Sequence, residues 1–319
     1  MRCIVVGLGV QGRKRRTQAG PDFVAAVDPM NMDAEYRAIS DVPLSAYDAA
    51  LCCIPDEPKE EVLSYLLENG KHVLVEKPLW VASVETIERL ERLAVDKGVV
   101  CYTAYNHRFE PHFARMHDLI GSGSLGRIYS CRMFYGNGTA RLVRESAWRD
   151  DGAGVLPDIG SHLLDTCRFW FGAIADDFTV IAVNRFENRA PDHVIIGSEL
   201  NQPRLELEMT LCMWRNHFAC DILAEHGTAH IDSLCKWGPS TFIHRSRVLP
   251  AGRPPETRVT LVQDDPTWAL EYSHFKQLVA SAARTDLAND RWLYATLDRL
   301  GKHAQMEYRA RTATTALET

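Results

Sequence analysis

The chain opens with Cys3-Ile4-Val5-Val6, a short β-branched run that meets a glycine at once. Similar apolar runs recur at 23–27, 49–54 and 72–75. Uninterrupted runs of this length, bounded by turn residues, suit strands buried on both faces, as in a parallel sheet. Between the third and fourth runs, Val62, Leu63, Leu66 and Leu67 recur at helical spacing, and Asn69-Gly70 marks a helix end. Strand and helix patterns alternate, which predicts βαβ units with helices covering a parallel sheet. The stretch after Asp28 holds little more than 33–39 as a helix. Later the rhythm changes. Runs at 127–135, 178–186, 193–200, 204–213, 217–224, 241–248 and 257–262 read as strands, and several alternate apolar with polar residues. That is the pattern of an antiparallel sheet with one solvated face. Helical patterns close the chain at 268–283 and 291–309, and 252–256 reads as a loop.

A length of 319 residues suggests two domains, divided here as 1–102 and 103–319. Apolar residues at 46% and charged residues at 24% are the proportions of a globular protein, not a disordered one. Thirty-six basic against 42 acidic residues leave a net charge of −6. That balance argues against a nucleic-acid partner, which requires a basic face. No apolar run approaches the roughly 18 residues of a membrane span. The basic run Arg13-Lys14-Arg15-Arg16 follows the first apolar stretch, the reverse of a signal peptide, so a cytoplasmic location is expected. Nine scattered cysteines contain no C-x-x-C pair. Reduced packing thiols are expected, with no disulfide framework. No metal is expected either, because neither His107 and His112 nor His226 and His230 has a cysteine pair to complete a zinc set.

Directly after the first strand comes Gly7-Leu8-Gly9-Val10-Gln11-Gly12, a G-x-G-x-x-G loop opening a helix. The first glycine permits the tight turn and the second the approach of a pyrophosphate. The third lets helix pack on strand, and the helix N-terminus attracts the anion. Asp28 follows the second strand and is placed to accept from ribose hydroxyls. This favours NAD as cofactor. NADP remains open, because a residue of the Arg13–Arg16 run could reach a 2′-phosphate; otherwise those residues form a solvated helix face. Lys77 stands at the end of the fourth strand, where ligands of such sheets bind. Asp158 and His162 are four residues apart, which places both on one face if a helix begins near Asp158.

These segments, with Lys71-His72-Val73-Leu74-Val75-Glu76-Lys77-Pro78, Tyr105-Asn106-His107-Arg108-Phe109, Leu125-Gly126-Arg127-Ile128, Trp148-Arg149 and the run from Gly152 to Asp165, resemble the Gfo/Idh/MocA family of nicotinamide-dependent oxidoreductases. The resemblance spans most of residues 1–175. It implies a Rossmann domain followed by an α+β domain with a large, mostly antiparallel open sheet, and an active site between them. It further implies an NAD(P)-dependent oxidoreductase acting on a secondary alcohol or ketone of a sugar or sugar derivative, with Lys77, Asp158 and His162 matching the catalytic residues. Cofactor contacts implied by it are Gly7, Gly9, Val10, Gln11, Gly12, Asp28, Ile54, Pro55, Glu76, Lys77 and Asn106. Substrate contacts are Lys77, Arg108, Tyr135, Trp148, Arg149, Asp158 and His162. His162, with an ordinary pKa of about 6.5, suits a general base. Lys77 would donate to the substrate oxygen, and Asp158 would orient its neighbours. Arginines 108, 141, 144 and 149 could read a carboxylate or phosphate on the sugar, including one in a nucleotide link, or simply line a solvated loop. A cis Lys77–Pro78 bond is also implied. Two departures stand out: the short stretch after Asp28, and Lys59 where the family often has histidine. Two other roles fit the pattern less well, a non-catalytic dinucleotide sensor and a glycosidase-like relative with retained NAD. An open sheet with one apolar face would invite pairing, so a homodimer or homotetramer is expected.

Overall fold

The computed structural model describes residues 1–146, 149–200 and 202–317. Backbone contacts divide the chain into two units: Met1–Asn106 with Pro266–Tyr294, and His107–Asp265 with the chain from Ala295 onward. Relative to a division between residues 102 and 103, the first unit gains a C-terminal segment.

In the first unit, β1 (Cys3–Val6), β2 (Phe23–Val27), β3 (Ala49–Cys52), β4 (His72–Glu76) and β5 (Cys101–Ala104) form a parallel sheet in the order β2-β1-β3-β4-β5. β1 and β3 are buried at every position, which is why their sequence shows no alternation. α1 (Val10–Ala19), α2 (Lys59–Glu68) and α3 (Val84–Lys97) connect the strands. α3 starts where the Ser83 hydroxyl accepts from the Thr86 N–H and stops at Gly98, at φ +63°. The strand order reverses at β1, so the loop that follows it opens at the switch point of the sheet.

No helix forms over 33–39. Tyr36 instead pairs with the end of β2: its N–H donates to the Ala26 carbonyl at 3.1 Å, and the Asp28 N–H donates to the Tyr36 carbonyl at 3.0 Å. The Asp28 and Asn31 side chains accept from nearby backbone N–H groups, and such local bonds favour turns over helix.

The second unit carries α4 (Pro111–Gly121), β6 (Ile128–Gly136), α5 (Ala140–Arg144), a π-helical turn at Leu156–Gly160, and α6 (Ser161–Phe171). Seven further strands follow: β7 (Thr179–Asn184), β8 (His193–Ser198), β9 (Arg204–Thr210), β10 (His217–Ala224), β11 (Gly227–Asp232), β12 (Ser240–Ser246) and β13 (Glu256–Leu261). They complete an eight-stranded sheet in the order β13-β12-β11-β10-β6-β9-β8-β7, antiparallel except where β6 meets β9. This is the Rossmann-plus-open-sheet class the sequence implies. β11 had no strand signal of its own, because Gly227 and His230 interrupt its apolar pattern.

One face of this sheet is core. Cys131, Met133, Tyr135, Leu205, Leu207, Met209, Phe218, Cys220 and Ile222 are buried on it. Phe113 of α4 meets Phe218 at 4.8 Å between ring centroids, and the Trp170 indole of α6 donates to the Phe113 carbonyl at 3.0 Å. The other face is polar, the solvated face that the alternation predicts. Arg132 pairs with Glu206 at 3.1 Å, His193 with Glu208 at 3.3 Å and His230 with Asp221 at 2.6 Å, with Tyr129 and Leu223 scattered among them. Period-two alternation reports that a face is solvated, and these charges on adjacent strands satisfy one another there.

α7 (Thr267–Ala280) returns to the first unit and packs on α1. α8 (Ala288–Leu317) begins in the first unit and continues in the second. All nine cysteines are free thiols, and burial pushes those of Cys3, Cys212 and Cys235 up to about 11. Among the described residues no helix is long and apolar enough to cross a membrane.

Candidate functional site

The glycine loop divides its labour in a way only coordinates reveal. Gly7 sits at φ +87°, and a Cβ there would lie 2.3 Å from the Cys53 carbonyl oxygen. At Gly12 a Cβ would lie 1.8 Å from the Gly7 carbonyl oxygen. Both positions are closed to side chains by the protein's own backbone. At Gly9 nothing stands within 4 Å of where a Cβ would be. Its freedom suits a group that arrives from outside. Val10 and Gln11 follow as the first turn of α1, whose amides find no partners within the helix and attract anions.

Asp28 accepts from the N–H groups of Leu8 at 2.7 Å, Met30 at 2.9 Å and Asn31 at 2.8 Å. Burial opposes its ionisation, but these donors outweigh burial and hold its carboxyl below the usual range. Asp28 therefore braces the glycine loop, and ribose hydroxyls would use its remaining lone pairs. Leu8, Gly9, Asp28, Met30, Asn31 and Met32 line an open recess that fits the adenosine end of a dinucleotide.

The basic run on α1 is not uniformly solvated. Arg13 pairs with Asp33 at 2.9 Å on the surface. Arg15 is fully buried, 2.7 Å from Glu76 and 2.6 Å from Glu271 of α7, with its guanidinium 4.3 Å from the Trp268 ring centroid. Burial disfavours that charge, but the two carboxylates outweigh it and hold the guanidinium pKa above its ordinary value. Glu76, expected at the cofactor, is thus a partner of Arg15 as well. Asn106 likewise donates to the Thr267 hydroxyl at 2.9 Å. α7 buttresses this edge of the sheet.

Lys77 follows β4 directly, and its bond to Pro78 is cis. Lys59, at the family's histidine position, is buried at 2% exposure. Its ammonium lies 2.6 Å from Asp56 and donates to the Pro78 carbonyl at 3.0 Å. A cation at the start of α2 opposes the helix dipole, so these two partners are what make its burial tolerable. Lys59 thereby anchors the backbone that presents Lys77.

In the second unit, Asp158 lies on the π-helical turn and His162 in the first turn of α6. The wider turn passes close to β9: a Cβ on Gly160 would stand 3.0 Å from the Met209 sulfur. His162 is buried at 9% exposure and stacks on His107 with ring centroids 3.9 Å apart. Tyr135 of β6 packs beside both, at 5.5 Å from His107 and 6.1 Å from His162. Arg149 pairs with Asp158 at 3.5 Å. Arg108, expected at substrate, instead grips the buried Asp165 through two bonds of 2.9 and 2.5 Å. Arg144 pairs with Glu187 at 3.6 Å. Trp148 lies outside the described residues.

A family model described as oxidoreductase family, NAD-binding Rossmann fold, matches residues 1–105, and the Gfo/Idh/MocA C-terminal domain model matches residues 113–230. The chain belongs to the Gfo/Idh/MocA family of oxidoreductases. Its first unit is the family's NAD-binding Rossmann fold. A scyllo-inositol 2-dehydrogenase (NADP+) of Bacillus subtilis is 35% identical over 109 residues, 33% of this chain and 30% of that protein. Levoglucosan dehydrogenase of Pseudarthrobacter phenanthrenivorans is 30% identical over 170 residues, 50% of this chain and 43% of that protein. The matches therefore span less than half the length of these curated relatives. A solved structure of levoglucosan dehydrogenase in complex with NADH shares the Gfo/Idh/MocA fold at a TM-score of 0.80, with 18% identity over 96% of this chain and 97% of that one.

The eleven expected cofactor residues all lie in the first unit, on segments leaving the carboxyl ends of its five strands: Gly7 to Gly12 after β1, Asp28 after β2, Ile54 and Pro55 after β3, Glu76 and Lys77 at β4, and Asn106 after β5. Arg108, Tyr135, Arg149, Asp158 and His162 lie in the second. Sequence reasoning passed over two residues at this Gfo/Idh/MocA framework, Glu271 and Lys236, and named Lys59 without its anchoring role. The ammonium of Lys236 donates to the Tyr135 hydroxyl at 3.1 Å. Its one sequence signal is the neighbouring Trp237.

Proposed function

We propose that this protein is an NAD(P)-dependent dehydrogenase or reductase of a secondary alcohol or ketone on a sugar or sugar derivative. The observation that carries the reading is Lys77, set immediately beyond β4 at the carboxyl edge of an NAD-binding sheet and backed by the Lys59 anchor. The sugar and inositol dehydrogenases among its relatives support the substrate class. Gly7 to Gly12 would hold the pyrophosphate and Asp28 the ribose. A bound nicotinamide supplies the hydride acceptor or donor. Lys77 donates a hydrogen bond to the substrate oxygen and favours the alkoxide. His162 takes the hydroxyl proton on a ring nitrogen, its imidazole held flat by His107 and Tyr135. Asp158 orients this set and balances the lysine's charge. In ketone reduction the proton travels the other way. NAD is the first expectation and NADP the second. Nine free thiols favour a reducing, cytoplasmic setting, and a homodimer or homotetramer is the expected assembly.

Thermal shift with NAD⁺, NADH, NADP⁺ and NADPH, followed by a sugar panel read by nicotinamide absorbance, tests the reading. A nucleotide at one hundred times its Kd stabilises the native state by about 2.7 kcal/mol. His162→Ala should lower turnover by about 10²–10⁴-fold with the nucleotide shift intact. Near-normal turnover in that variant removes the general base, and no shift with any nucleotide removes the function. Bound nucleotide without net reduction would favour a retained-NAD mechanism.

A further inference from the structure

Three of the four arginines that the sequence nominates as anion readers carry ion pairs, Arg108 with Asp165, Arg149 with Asp158 and Arg144 with Glu187, and the fourth, Arg141, lies exposed on α5. Lys236 is different. It lies in a tight turn, Cys235–Trp237, and forms no ion pair within 4.0 Å among the described residues. Its ammonium is held by neutral groups, 3.1 Å from the Tyr135 hydroxyl and 4.7 Å from the Trp237 ring centroid. Because Lys236 donates to the Tyr135 oxygen, the tyrosine O–H remains a donor for a third group. Tyr135 is the ring that flanks His107 and His162. One aromatic ring thus separates this ammonium from the proposed general base.

A second cation reaches the same turn. The Arg215 guanidinium donates to the Trp237 carbonyl at 3.4 Å, and it too forms no ion pair among the described residues. Its loop is fixed on the end of β6: the Met213 N–H donates to the Asn137 carbonyl at 3.0 Å, and the Gly138 N–H donates to the Asn216 side chain at 3.0 Å. Two acids stand near this turn, Asp265, whose charge raises both the Glu110 carboxyl and the Cys235 thiol, and Glu110. Glu110 is buried at 2% exposure, accepts from the Cys235 N–H at 3.1 Å, and has its carboxyl pushed up by burial. Two cations share one turn with no carboxylate paired to either, in a protein whose net charge is −6.

We propose that Lys236 and Arg215, with the Tyr135 hydroxyl, form a subsite for an anionic substituent, phosphate or carboxylate, on the sugar substrate. The 235–237 turn thus carries an ammonium bonded to a phenol and receives a guanidinium on its Trp237 carbonyl, and these donors match the acceptor-only character of either anion. The inference deepens the sugar-dehydrogenase reading and rests on it for what carries the anion.

The test is calorimetric titration of the full chain, with NADH present, with D-glucose 6-phosphate, D-glucuronate and D-glucose. At least one charged sugar should bind about tenfold or more tighter than glucose, as a charge-assisted contact predicts, and which one does identifies the anion. Lys236→Met and Arg215→Met should each reduce that preference by about tenfold while glucose affinity moves less than about twofold. Lys236→Arg, which keeps the charge, should retain it, and this separates recognition from misfolding. Equal affinity for charged and neutral sugars in the wild type, no sugar binding at all, or an undiminished preference in Lys236→Met overturns the subsite. A Lys236-dependent preference in a protein that oxidises no sugar would leave the subsite standing and remove the dehydrogenase reading. Turnover without that preference would do the reverse.

Discussion

On the dinucleotide side, the decisive atoms belong to the backbone and to neighbours in sequence. Gly7, Gly9 and Gly12 lie within six residues of one another, and Asp28 returns to the same loop by accepting from the Leu8 N–H. On the substrate side, His107, Tyr135, His162 and Lys236 come from four separated segments and meet only through ring and hydrogen-bond contacts. The first arrangement is a local device that a motif can encode. The second exists only once β6, α6 and the 235–237 turn have been brought together, so it tolerates a different residue at each place. That contrast teaches where specificity in this molecule can vary: the dinucleotide loop is confined by its own backbone contacts, and the cluster in the second unit is free to change its reading groups.

The largest effect that would sharpen this contrast comes from Arg15, the exception on the dinucleotide side because its partner Glu271 is 256 residues away. Arg15→Met leaves a fully buried carboxylate uncompensated and should lower stability by about 3–5 kcal/mol in denaturant unfolding. A loss below about 1 kcal/mol would show that α7 is held to α1 by packing alone. Next are the glycines. Gly12→Ala forces a Cβ onto the Gly7 carbonyl and should cost about 1–3 kcal/mol. Gly9→Ala meets nothing in the protein, so it should change stability by less than about 0.5 kcal/mol yet weaken nucleotide binding by about tenfold or more. Equal damage to folding from both would break the distinction between a backbone-required and a ligand-required glycine.

In the second unit, Arg108→Gln removes an ion-pair partner of buried Asp165 and should cost about 1–3 kcal/mol with little change in sugar KM. A large rise in KM at unchanged melting temperature would return Arg108 to the substrate. The smallest effect is at Glu110, whose carboxyl is raised by burial against the opposing pull of its hydrogen bonds to Cys235. The folded state therefore holds that proton more tightly, and its contribution falls as pH rises above the ordinary glutamate value. Glu110→Gln keeps an acceptor for the Cys235 N–H and should raise the melting temperature at pH 7 by about 1–2 °C. The gain should disappear below about pH 4. A loss at pH 7 would mean the ionised carboxylate is needed, most directly as a counter-charge to Lys236.

Legibility followed the same divide. The four N-terminal strands, the glycine loop and the end of β4 at Lys77 were readable because each depends on contiguous residues. The helix expected over 33–39 failed because side-chain acceptors at Asp28 and Asn31 captured the local amides. Arg15 read as a surface residue because nothing near it in sequence reveals that Glu76 and Glu271 close over it. That the large sheet has one solvated face was readable from its alternation, but the pairs that form there across adjacent strands were not.

By itself the sequence determined that this chain would form a parallel dinucleotide-binding sheet followed by a mostly antiparallel one, because strand burial and turn chemistry are written in short runs. It also placed Lys77 at a strand end and Asp158 one turn from His162. Tertiary structure alone decided which charges are free and which are matched. Arg108 became a brace for Asp165, Lys59 an anchor for the backbone beside Lys77, and Lys236 a cation with no ion pair within 4.0 Å among the described residues. The reason is physical: the role of a charged side chain depends on the groups within about 4 Å of it, and in a folded chain those groups come from anywhere in the sequence.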